Sequence, residues 1–254
     1  MVTFFDCEMG LGPTGLGGAA APTAEALLRV MGQYDIGSAL VYDRAAHEAG
    51  VFDRFDFILE ACGTSHRLLP TIPVLPPATR EQMPPADLVA FCLDHGIKAV
   101  RACPTAHNFI CDRHSMGRLC TQLQARRMPL IHSSIGLREH PYKHQPPWHD
   151  LRDLALAFPD MPVIVLHTGM MQGRNLFTLL EECPNVMADL SCASFQYVEE
   201  VVAHFGSARL VMASHFPAED PGLYTTWLNY AKVDADVRAN IAGDNLRRLL
   251  AAVV

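Results

Sequence analysis

Histidine titrates closer to neutrality than any other side chain and is the commonest neutral metal ligand, and this 254-residue chain carries 12 of them. Three sit at or just beyond the ends of short apolar runs: His132 after PLI, His167 after VIVL, and His215 after LVMAS. Charged residues occupy comparable places. Asp6-Cys7-Glu8 follows the first such run, Arg101 ends KAVR, and Asp189-Leu190-Ser191 follows VMA. Imidazoles, carboxylates and a guanidinium gathered in one place can hold a metal ion, pass a proton or clamp an anionic substrate.

Gathering them requires a repeated scaffold. Apolar or β-branched runs recur at 3–6, 38–42, 68–74, 98–102, 129–132, 163–167, 186–190 and 209–213. Between them lie stretches with helical periodicity, at 23–32, 52–62, 85–95, 115–127, 148–158, 176–183, 195–205 and 237–252. Continuous apolar runs alternating with amphipathic segments are the mark of parallel strands covered by helices. Eight such units in 254 residues make about 32 residues each, a normal βα repeat. Gly10–Gly18 contains neither GxGxxG nor GxxxxGK[ST], which argues against an open nucleotide-binding sheet. The expectation is α/β: a single (β/α)8 TIM-type barrel forming one domain over 1–254. In that fold the carboxyl ends of the strands carry the chemistry, so the histidines, Glu8, Arg101 and Asp189 face one mouth.

Composition narrows the classes further. Half the residues are hydrophobic and 19% are charged, enough for a large core and against disorder. The net charge of −7, with no basic block, speaks against nucleic acid as a partner. Eight cysteines without a close CxxC pair read as reduced, buried thiols of a cytoplasmic protein. The start, MVTFFDCEMG, has no signal-peptide pattern. No apolar run nears the roughly 20 residues needed to span a bilayer, so no membrane association is expected.

Several segments, taken in order, resemble the amidohydrolase superfamily, in particular its amidohydrolase-related branch of decarboxylases, lactonases and hydratases. PLIHSS (129–134) is similar to the strand-five histidine motif, VIVLHTGM (163–170) to the strand-six HxG motif, and NVMADLS (185–191) to the strand-seven segment. RLVMASHFP (209–217) is similar to the strand-eight GSDxP motif, and IAGDNLRRLL (241–250) to the C-terminal helix. The resemblance implies a hydrolase-type enzyme that activates water for attack on a small, carboxylated substrate. It also implies Asp-x-His-x-His on the first strand, where this chain has Asp6-Cys7-Glu8-Met9-Gly10, and an aspartate where it has His215.

Three readings of the altered site follow. In the first, Glu8, His132 and His215 hold one divalent ion, zinc or manganese, and His167 handles the proton, the role its match implies. In the second the enzyme is a metal-free lactonase or decarboxylase, with Asp189 or Glu8 activating water. In the third the barrel is catalytically inactive and binds a ligand or a partner protein. Arg101, His107 and Ser191 are the candidates for contacting the anionic substrate. Lys98 is read as lying deep in or behind the barrel, and His47, His66, His95, His114 and His204 as surface or helix-terminal. Two loops, 10–21 and 136–149, would overhang the mouth, the first as a lid or as a plain connection. A homo-oligomer is compatible with all of this.

Overall fold

The computed structural model describes residues 2–13, 21–49, 54–133, 148–168, 173–189, 191 and 193–254. The two loops expected over the mouth fall largely outside these residues, as does Cys192. Eight parallel strands run in sequence order around a barrel: β1 (Phe4–Leu11), β2 (Ile36–Asp43), β3 (Leu68–Pro73), β4 (Val100–Ala102), β5 (Leu130–His132), β6 (Val163–Val165), β7 (Val186–Asp189) and β8 (Leu210–Val211). Backbone bridges between Asp6 and Met212 and between Met9 and Phe216 join β1 to the β8 edge. The expected (β/α)8 barrel is the observed fold.

The helices are α1 (Ala24–Gln33), α2 (Arg44–Ala49), α3 (Phe55–Gly63), α4 (Pro85–Asp94), α5 (Arg113–Ala125), α6 (Trp148–Ala157), α7 (Gly173–Glu182), α8 (Phe195–Phe205), α9 (Pro221–Tyr230), α10 (Ala235–Ala239) and α11 (Asn245–Ala251). Two of these are absent from the sequence reading. The six residues of α2, RAAHEA, carry no apolar stripe. α9 did carry a start signal: the Asp220 side chain caps Gly222 N ahead of Pro221, the acid-then-proline pattern of a helix N-terminus. The single helix expected over 237–252 is divided, with a π turn at Asn240–Asp244 separating α10 from α11.

Two buried layers divide the core. Phe5, Cys7, Leu40, Ala99, Ile131, Ile164, Met187 and Val211 fill the barrel interior. Alternate strand residues such as Phe4, Met9, Val41, Val100, Leu130 and Val165 pack outward against the helices. Period-two alternation produces this division, and it decides below which strand-end side chains reach the mouth.

α11 closes the bottom of the barrel. Its Asn245, 2% exposed, donates from Nδ2 to Ser207 O (2.6 Å) and Leu210 O (2.7 Å), tying the C-terminal segment to β8. Lys98 Nζ donates to Leu250 O at 3.3 Å, so Lys98 faces this end, away from the mouth. Asn245→Ala strips both carbonyls of their donor and is expected to destabilise the fold by about 1–3 kcal/mol. The check is urea unfolding, read as a lower midpoint at unchanged slope; an unchanged midpoint would refute this tie.

Candidate active site

Irregular backbone delivers all three side chains at the centre of the mouth. Along β1, Asp6 pairs with Ala39 and Met9 with Val41, so three steps on β1 oppose two on β2. This is a β-bulge, which adds a residue and re-aims a side chain. Cys7 packs in the interior while Met9 packs outward, and Glu8 between them gains the inward direction. The Asp6 carboxylate stabilises the bulge: its Oδ1 accepts from Glu8 N (2.9 Å) and Ser214 N (3.0 Å). Burial pushes the Asp6 carboxyl up to about 7, against those hydrogen bonds. His167 and His215 lie just past their strands with φ of 59° and 57°, left-handed values that non-glycine residues adopt sparingly and that concentrate at functional sites. For His167 the turn is fixed by its own N–H, which donates to Asp189 Oδ2 at 3.0 Å.

The two imidazoles converge on one carboxylate. His167 Nε2 lies 3.1 Å and His215 Nδ1 3.3 Å from Glu8 Oε2. Their rings meet edge to face with centroids 4.3 Å apart. Glu8 is fully buried and the His167 side chain 2% exposed, whereas that of His215 is 21% exposed and forms the open side. Burial alone would raise the Glu8 carboxyl; the imidazoles of His167 and His215 reverse this and hold it well below the usual carboxylate range. Burial likewise pulls the His215 imidazole down, and Glu8 more than offsets it, leaving His215 raised.

Behind this cluster stands a second carboxylate. Asp189 is buried, its Oδ1 accepts from Ser191 N at 2.7 Å, and its Oδ2 accepts the Ser191 hydroxyl. Ser191 Oγ in turn lies 3.5 Å from His167 Nδ1. Burial drives the Asp189 carboxyl up to about 6 despite His167 and the Ser191 hydrogen bonds.

Arg101 is 1% exposed, and each of its three guanidinium nitrogens makes a hydrogen bond. It donates to Thr71 Oγ1 (2.9 Å), Cys7 O (2.8 Å) and Glu8 Oε1 (3.4 Å), and it lies 4.7 Å from the Tyr42 ring centroid. His107 stands on the turn after β4, where Nε2 is 3.0 Å from both Ala46 O and His47 O. Two carbonyl partners make that nitrogen the protonated one, so His107 pins α2.

Among the described residues, the one set of three whose ligand atoms all lie within 4.8 Å of one another is Glu8, His167 and His215. His132 is not in it. Its register partners Ala102 and Val165 pack outward, so His132 shares the face turned to the helices, where burial lowers its imidazole to about 4. His66, His95, His114 and His204 are exposed, as expected. His47 departs from that expectation: it is 7% exposed, stacks on Tyr42 at 4.6 Å and meets Cys103 Sγ at 3.4 Å through Nδ1. The reason is that α2 begins directly at the end of β2 and lies on the mouth. Neither Tyr42 nor Arg44 figured in the sequence reading. A Cβ placed at Gly10 would come within 2.8 Å of Tyr42 Oη and 2.9 Å of Arg44 Cγ, so the position where the resemblance implies a second histidine is filled by its neighbours.

Residues 129–251 match the family model described as amidohydrolase. A stretch of the chain is 34% identical over 86 residues to the uncharacterized protein y4mH of Sinorhizobium fredii, covering 26% of this chain and 29% of that protein, less than a third of the relative's length. Solved structures are similar over the whole barrel. A 2,6-dihydroxybenzoate decarboxylase from Rhizobium superimposes with a TM-score of 0.76 at 14% identity over 99% of both chains. A dihydroxybenzoic acid decarboxylase from a Polaromonas species, with bound manganese and the inhibitor 2-nitroresorcinol, gives 0.75 at 13% identity over 99% of this chain and 97% of that one. A putative 2-pyrone-4,6-dicarboxylic acid hydrolase from Pseudomonas putida gives 0.70 at 15% identity over 100% of this chain and 99% of the other. Residues 129–251, which hold the strand-end and C-terminal motifs, thus match the amidohydrolase model, and the whole chain shares the (β/α)8 fold of these structures.

Burial, with the Arg101 charge beside it, holds the His47 imidazole down to about 3 against an ordinary 6.5. The folded state therefore keeps His47 neutral while the unfolded chain takes up its proton below 6.5, so stability falls as pH drops through that window toward 3. His47→Gln removes this contribution. Its stability-versus-pH slope between pH 6.5 and 4.5, from urea unfolding, should be shallower than the parent's by up to about 1.4 kcal/mol per pH unit. Parallel slopes would show that His47 is protonated alike in both states.

Proposed function

We propose that this barrel is a metal-assisted hydrolase acting on a small carboxylated substrate. The observation that carries the reading is the convergence of Glu8, His167 and His215, one carboxylate and two imidazoles at an open strand-end mouth. That donor set suits a catalytic divalent ion with a position left for water or substrate. The surroundings fit as well. With Nε2 of His167 turned to Glu8, its Nδ1 carries the proton toward Ser191 Oγ, which hands on its own hydrogen bond to Asp189. A carboxylate behind a ligating imidazole fixes its tautomer and raises its basicity.

In this reading Glu8, His167 and His215 hold zinc or manganese, whose chemistry is to acidify water and polarise a carbonyl oxygen. Arg101 keeps the Glu8 carboxylate charged and oriented. Asp189, with a carboxyl near 6, is poised to accept a proton at neutral pH and return it to a leaving group, the range a general acid–base needs. His132, on the outer face of its strand, takes no part. The Polaromonas decarboxylase with bound manganese supports an ion in a barrel of this shape.

A second reading, decarboxylation, draws support from the Rhizobium and Polaromonas neighbours and from Asp189, which below pH 6 can protonate a carbon once carbon dioxide has left. Incubation with 2-pyrone-4,6-dicarboxylate and with 2,6-dihydroxybenzoate separates the two, by ring opening or by release of carbon dioxide. Neither product, from metal-loaded protein, would favour the inactive, ligand-binding barrel.

Metal analysis of protein purified without chelator should return about one equivalent of zinc or manganese per chain. The double variant His167→Ala/His215→Ala should lose it, while His132→Gln should retain it. Retention by the double variant, or loss on changing His132 alone, would overturn this ligand set. Asp189→Asn should keep the metal and lower turnover on either substrate by about 10²-fold or more.

A further inference from the structure

Arg44 opens α2 directly beyond the last residue of β2 and is 7% exposed. It lies over the barrel mouth, because its Cγ comes within 2.9 Å of the Cβ position at Gly10, two residues past Glu8 on the inward face that the β1 bulge sets. Arg44 Nε donates to Glu48 Oε1 at 3.1 Å, one turn along the helix, with the two side chains 8% and 3% exposed. Half of this ion pair is unused. Arg44 Nη1 and Glu48 Oε2 are both buried without a hydrogen-bond partner among the described residues. Buried polar groups, charged ones above all, are rarely left unpaired, and each such exception calls for an explanation. His107 holds the carbonyls of Ala46 and His47, so the helix presents both groups from a fixed position. Tyr42 Oη and Arg44 Cγ both close on the Cβ position at Gly10, and Arg101, which reaches Glu8, lies 4.7 Å from the Tyr42 ring centroid, which sets the pair beside the Glu8 cluster.

We propose that Arg44 and Glu48 form the substrate-recognition subsite of this mouth, taking a small carboxylate that bears a neighbouring hydroxyl. The guanidinium Nη1 donates to the substrate carboxylate, and Glu48 Oε2 accepts from the hydroxyl. An ion pair with an unpartnered guanidinium nitrogen and an unpartnered carboxylate oxygen matches a ligand presenting an acceptor and a donor side by side. Arg101, the cation expected from sequence to bind the anion, is instead engaged by Thr71, Cys7 and Glu8, which leaves Arg44 as the better candidate. The subsite rests on the reading that this mouth takes a small carboxylated molecule, and it specifies that molecule's polar end.

The test is calorimetric binding of three probes, mandelate, phenylacetate and benzyl alcohol, to the full chain, with metal content and thermal unfolding measured on the same samples. The parent protein should bind mandelate about tenfold more tightly than phenylacetate or benzyl alcohol, the worth of one good hydrogen bond. Arg44→Met should bring mandelate to the level of benzyl alcohol. Arg44→Lys, which preserves charge if the methionine variant unfolds, should still lose several-fold. Glu48→Met should bind mandelate and phenylacetate equally. Folded variants that bind mandelate like the parent, or a parent that fails to bind it or to prefer it, would overturn the subsite. Loss of binding with metal retained isolates the subsite. A metal-free parent that keeps the mandelate preference would sink the metal reading and leave the subsite standing.

Discussion

A fully buried carboxylate organises this mouth. Glu8 has no exposure to water, and an ionised carboxylate removed from solvent is tolerated only where opposite charge and hydrogen bonds replace hydration. Arg101 donates to Oε1, and the imidazole nitrogens of His167 and His215 stand 3.1 and 3.3 Å from Oε2. Each is secured from behind. Arg101 is fixed by Thr71, by the Cys7 carbonyl and by the face of Tyr42. His167 is fixed by Asp189 through its backbone N–H and through Ser191. Removing any one partner leaves a buried charge uncompensated, so these residues act as a unit and their individual effects will not add.

The backbone deformations are understood in the same terms. A regular β1 would alternate Cys7 inward and Glu8 outward, placing the carboxylate among the helices. The bulge between Asp6 and Met9 cancels that alternation, at the cost of an unpaired stretch that the Asp6 side chain repairs. Regular continuation of β6, with Val165 outward and Leu166 inward, would send His167 outward as well. Its left-handed φ turns it back. Strain of this kind costs of order 1–3 kcal/mol per residue and persists because the surrounding hydrogen bonds determine it.

This explains which parts of the site were legible beforehand. The strand ends were, because continuous apolar runs ending in polar residues have no other economical fold. Glu8, His167, His215, Asp189 and Arg101 were all singled out on that ground, and the structure brings Glu8, His167 and His215 together, with Arg101 on Glu8 and Asp189 behind His167. Side-chain direction was not legible. His132 and His167 look equivalent in sequence, each ending an apolar run, yet strand parity turns one to the helices while an irregular dihedral turns the other to Glu8. Neither a bulge nor a positive φ at histidine has a residue signature, whereas a glycine would have announced it. Arg44 and Glu48 were hidden for another reason: six residues of RAAHEA are too short for a periodic signal, and only their position after β2 gives them meaning.

The departures from the amidohydrolase pattern then form one coherent change. At Gly10 the missing histidine leaves space that Tyr42 and Arg44 occupy, so a ligand is exchanged for an aromatic wall and a second guanidinium. At 215 an imidazole replaces the aspartate the resemblance implies, removing a negative charge from the same mouth. A divalent ion held by one carboxylate and two neutral imidazoles keeps a net positive charge, where an aspartate in place of His215 would cancel it. Arg101 adds another positive charge, spent on Glu8, and Arg44 adds one balanced by Glu48. An imidazole in place of an aspartate at 215 leaves one negative charge fewer beside Glu8, Asp189 and Asp6, in a chain that as a whole carries −7. Local charge in a low-dielectric cleft governs what enters it more than net charge does, and the proposed carboxylate subsite rests on that local balance.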